Sequence, residues 1–85
     1  MPEPIRIVYC KPCGYVRQAD EANRALRAAL GHEAELVPGK GGVFEVFVGE
    51  RSVARRTRAG FPAPAQIVQA VAQALAAAQP RAGRS

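Results

Sequence analysis

Residues 8–14, Val8-Tyr9-Cys10-Lys11-Pro12-Cys13-Gly14, carry an apolar run straight into two cysteines spaced C-x-x-C. Upstream, Ile5, Ile7 and Val8 read as a short buried strand over about Ile5–Tyr9. Downstream, Tyr15, Ala19, Ala22, Leu26 and Leu30 recur at steps of three and four, which predicts a helix from about Gly14 to Leu30, closed by Gly31. The two thiols therefore fall where a strand hands over to a helix. A helix N-terminus carries about half a positive charge and free N–H donors, and both favour a thiolate over a thiol. Lys11 adds a cation between the sulfurs, and Pro12 suits a first helical turn, where its missing N–H is no loss. In such surroundings a thiol of pKa ~8.5 falls to between ~3.5 and ~7.5, which supplies a nucleophile at neutral pH.

The chain has 85 residues, enough for one small core, and a single domain is expected over 1–80 with a disordered tail at 81–85. Apolar residues make up 48% and charged residues 22%, a globular balance. No apolar run approaches the ~20 residues of a membrane span, so no membrane association is expected. Nor does Met1-Pro2-Glu3-Pro4 begin a signal peptide. A cytoplasmic location follows as the expectation, and there a C-x-x-C reads as redox or metal chemistry. The net charge is +5, with Arg51, Arg55, Arg56 and Arg58 close together. No aromatic residues interleave with them, so nucleic acid is not an expected partner, and solvated strand-face arginines are the simpler reading. A basic surface still favours acidic partners and anionic thiols such as glutathione.

A second strand is expected at about Ala34–Val37, stopped by Pro38-Gly39, and a third at Val43–Val48. Gly49-Glu50 reads as a hairpin connection to a fourth strand, about Arg51–Thr57, placed at a sheet edge with arginines that block edge-to-edge pairing. Pro64 opens a last helix over about Ala63–Gln79, with Ile67, Val68, Val71, Leu75 and Ala78 as its core stripe. The outer face of that helix is uncharged, which makes it a candidate surface for a homodimer. The order is β-α-β-β-β-α, with the first two strands parallel and the last two a hairpin. This predicts a thioredoxin-like α/β fold, a mixed four-stranded sheet packed with two helices.

Redox work needs an attacking thiolate and a resolving thiol within reach, and Cys10 and Cys13 supply both. Spacing alone makes Cys10 the attacker and Cys13 the resolver. A closed zinc site needs four ligands, and the lone His32 falls roughly 25 Å away along the helix, so no resident metal is expected. Two thiolates do suffice for Cu(I), which leaves a soft-metal carrier as the alternative function. A redox-sensing interaction module is a third reading.

The blocks Val8-Tyr9-Cys10-Lys11-Pro12-Cys13-Gly14-Tyr15, Gly42-Val43-Phe44-Glu45-Val46 and Arg55-Arg56 through Gly60-Phe61-Pro62 resemble the selenoprotein W-like (Rdx) family. The resemblance runs from Ile5 to about Ala78. It implies a thioredoxin-like thiol oxidoreductase acting on protein thiols or disulfides, with glutathione as a candidate co-substrate and no other cofactor. Selenoprotein members place selenocysteine where this chain has Cys13, so the resemblance points to Cys13 as the attacker and leaves the order of attack open. The chain departs from ordinary thioredoxins in having no Trp before the motif and no Pro directly before the third strand. Gly41 and Gly42 occupy that region and, with Phe61, are candidate substrate contacts. Turn glycines and a core phenylalanine are the plainer readings of the three.

Overall fold

The computed structural model describes residues 4–78, so the expected tail, the end of the last helix and the extreme N-terminus lie outside the described residues. The elements follow as β1 (Ile5–Cys10), α1 (Val16–Leu30), β2 (Glu35–Gly39), β3 (Phe44–Val48), β4 (Arg51–Arg55) and α2 (Pro64–Ala78). They form one four-stranded sheet in the order β2-β1-β3-β4, with β1 parallel to β2 and antiparallel to β3. This is the thioredoxin-like mixed sheet with two helices that the order of elements predicts.

Alternation sorts β1 and β3 into two faces. Ile5, Ile7 and Tyr9 are buried beside Phe44, Val46 and Val48, whereas Arg6, Val8, Glu45 and Phe47 face the other way and are only partly covered or exposed. Both helices pack on the first face and against each other. From α1 come Ala19, Ala22 and Leu26, and from α2 come Ile67, Val71 and Ala74. Fully burying each of the larger ones contributes roughly 1.5–3 kcal/mol. Ala74 belongs to this core, whereas Val68 and Leu75 pack only at its margin, and the side chain of Ala78 is outside the described residues.

Several boundaries differ from the sequence expectation, β1, β3 and α2 by one residue at an end and three others in ways that have a physical reason. The first helix starts at Val16, not Gly14, because Gly14 sits at φ 79°, which ends any helical turn before it. β2 runs through Pro38 and Gly39, paired with Tyr9 and Cys10. As an edge strand it tolerates a residue that lacks an N–H. β4 is an edge strand as expected but leaves the ladder at Arg55. Its register shifts opposite Val46 and Phe47, so Val53 is an extra residue and both Val53 and Ala54 reach the core margin.

One buried polar residue lies at the middle of α1. The Asn23 side chain, 7% exposed, accepts the main-chain N–H of Ala34 at 2.8 Å. That bond ties the helix to the loop entering β2 and satisfies a buried donor that would otherwise cost ~1–3 kcal/mol.

Candidate functional site

Cys10 ends β1 and is the hub of the loop that follows. Its N–H donates to the Val43 carbonyl at 2.7 Å, and its carbonyl accepts the Tyr15 N–H at 3.2 Å. Lys11 N–H donates to Gly39 at 3.1 Å, and Gly14 N–H returns to Lys11 at 3.1 Å. These bonds hold residues 10–15 in a compact turn against the start of β3. Cys10 and Cys13 are joined as a disulfide, with Cα atoms 5.3 Å apart.

The two sulfurs live in different surroundings. Cys10 is 1% exposed, whereas Cys13 lies in the exposed turn with Lys11, Pro12 and Gly14. This reverses the spacing argument: the first cysteine is covered where β1 pairs with Gly39 and bonds to Val43, and the second is on the outside. It also moves Cys13 and Pro12 ahead of the helix, not into its first turn. The N-terminus of α1 nonetheless follows three residues after Cys13 and is not neutralised by its own side chains. Tyr15 at the N-cap makes no side-chain cap, and no acidic residue occupies the first turn.

Gly41 and Gly42 form the turn beside this loop, at φ 78° and 79°, where any side chain is strained. Phe61 does not enter the core. It stays 37% exposed and meets Tyr15 and Phe44 edge-on, with centroids 4.8 and 5.2 Å away. A depression of about 260 Å³ opens beside it, lined by Gln18, Glu21, Phe44, Pro62 and Ile67 among others. The Oε1 atom of Gln18 is buried there without a partner. A larger hollow of about 720 Å³ lies at the opposite end of β1, by Arg6 and the Gly49-Glu50 turn, away from the thiols.

Reading the sequence for solvated arginines missed Arg56. Just past β4, it places its guanidinium 5.6 Å from the Tyr15 ring centroid and donates from Nε to the Gly42 carbonyl at 3.2 Å. His32 follows the far end of α1, as expected. Among the described residues no group of three His, Cys, Asp or Glu side chains could hold a metal, and no helix is long and apolar enough to cross a membrane.

Comparisons with known proteins agree with this fold. The model of the Rdx family matches residues 4–73. A protein from Bordetella parapertussis of known crystal structure is 32% identical, with a TM-score of 0.81 over 88% of this chain and all of that one. A selenoprotein W-related protein from Vibrio cholerae is 25% identical, with a TM-score of 0.78 over 88% of this chain and 99% of that one. No curated protein matches the sequence.

Proposed function

This chain belongs to the Rdx family and has a redox-related role, and from that premise we propose that it is a thiol–disulfide oxidoreductase working through Cys13 and Cys10. One observation carries the reading: the paired cysteines are unequally exposed, Cys13 an exposed residue and Cys10 a covered one. In the reduced protein, the Cys13 thiolate attacks one sulfur of a substrate disulfide. A Cys13–substrate bond forms, the substrate's own S–S bond breaks, and the departing thiolate takes up a proton. The Cys10 thiolate then attacks the Cys13 sulfur and releases the second substrate thiolate. Two electrons have passed to the substrate, and the Cys10–Cys13 disulfide is left. Two equivalents of a thiol such as glutathione reverse the process. Lys11 and the uncapped end of α1 support the thiolate at Cys13. Gly14 lets the turn close, and Pro12 stiffens it.

The test is equilibration of the protein against a series of glutathione redox buffers, read by thiol alkylation and mass. A reversible two-electron couple between about −180 and −300 mV is expected. A dithiol that stays reduced across the series while binding Cu(I) tightly would overturn the proposal in favour of metal carriage.

A further inference from the structure

Arg56 is held in place more firmly than an exposed arginine needs to be. Its N–H donates to the Phe44 carbonyl at 2.9 Å, its Nε holds Gly42, and its guanidinium lies over Tyr15. A Cβ built on Gly42 would come within 3.3 Å of the Arg56 Nη2 atom, so the cation rests directly on the bare turn. Yet among the described residues neither Nη group meets an acceptor, and the residue is exposed. Most of the rotamer entropy that a flexible arginine loses on binding has therefore already been given up, while the fork of donors suited to a carboxylate is unused.

Its position relates it to the dithiol. Tyr15 is two residues after Cys13, and Gly42 precedes Val43, whose carbonyl holds Cys10. Exposed Lys11 and Lys40 add two further cations near the same turn. We propose that Arg56 is a specificity-determining residue, receiving a carboxylate of the thiol or disulfide that reacts at Cys13. Small acidic thiols of the glutathione kind are thereby preferred over neutral and cationic ones. The glycyl carboxylate of such a thiol lies about two residue lengths from the sulfur, ~7 Å of extended chain. The preference for a reacting substrate rests on the dithiol reading above, but binding of the carboxylate does not.

The experiment uses S-methylglutathione, whose thioether cannot exchange, titrated into the oxidised protein and followed by amide chemical shifts. Shifts are expected around Tyr15 and Gly42, with affinity falling three- to tenfold in Arg56→Gln and by a smaller factor in Arg56→Lys, which keeps the charge but loses the fork and the seat over Tyr15. The dimethyl ester of the same compound, with both carboxylates masked, should bind wild-type protein three- to tenfold more weakly than the acid does. That comparison needs no variant to fold. Equal binding of acid and ester, or no binding of the acid, overturns the proposal. Reduction of the neutral hydroxyethyl disulfide by the wild-type dithiol tests the oxidoreductase reading by itself, so the two can fail separately.

Discussion

The N–H of Cys10 donates to the carbonyl of Val43 at 2.7 Å, joining the inner cysteine to the residue directly after the Gly41-Gly42 turn. The dithiol loop and the glycine turn are thus one assembly, and what strains the turn is felt at the cysteines.

Gly41 and Gly42 separate two effects there. A Cβ at Gly41 meets nothing within 4 Å, so Gly41→Ala costs only the left-handed backbone, roughly 1–2 kcal/mol. Gly42→Ala carries the same backbone cost and must also push Arg56 aside. Urea unfolding should show Gly42→Ala as the less stable of the two, and the Arg56 Nε resonance should shift in Gly42→Ala alone.

Thiol reactivity should follow exposure. In reduced protein, substoichiometric iodoacetamide should label Cys13 well before Cys10, as read by peptide mass. Incubated with glutathione disulfide, Cys10→Ser should accumulate an adduct on Cys13, whereas Cys13→Ser should accumulate little. The opposite labelling order would restore Cys10 as the attacker.

Asn23→Ala removes the acceptor of a buried N–H and should lower stability by about 1–3 kcal/mol. Asn23→Asp keeps an acceptor oxygen and should lose less at acid pH, where the carboxyl is neutral, than at neutral pH, where it would be a carboxylate buried at that position. Chemical denaturation with an unchanged m-value checks both.

Phe61→Ala deletes two edge-on aromatic contacts, each contributing roughly 0.5–1.5 kcal/mol beyond area burial, from a ring already partly in water. A loss of about 1–2 kcal/mol is expected, smaller than the ~2–5 kcal/mol for Leu26→Ala in the closed core. Thermal unfolding of the two variants side by side gives the order.

Local patterns announced the architecture. Ile5, Ile7, Leu26 and Val71 follow strand and helix periods, so every element could be found before the structure, and the cysteine pair stood out by its place between β1 and α1. What could not be read depended on contacts distant in sequence. Cys10 is covered because β1 persists to that residue and places it between Gly39 and Val43, a matter of pairing distant in sequence. Arg56 looked like its neighbours Arg55 and Arg58, and nothing local marks the one that meets Tyr15. Asn23 left only the faint sign of a small amide beside Ala22, within the run of apolar contacts.

The covered position of Cys10 also limits the regiochemistry of the bond it shares. In the proposed reaction a thiolate arriving from bulk water meets one electrophilic sulfur, that of Cys13, with Cys10 as the leaving group. Opening and closing the disulfide then pass through the same single adduct, as microscopic reversibility requires. The lifetime of that adduct is set from inside the protein, by how soon a strand residue pinned to Val43 and Tyr15 can bring its sulfur back.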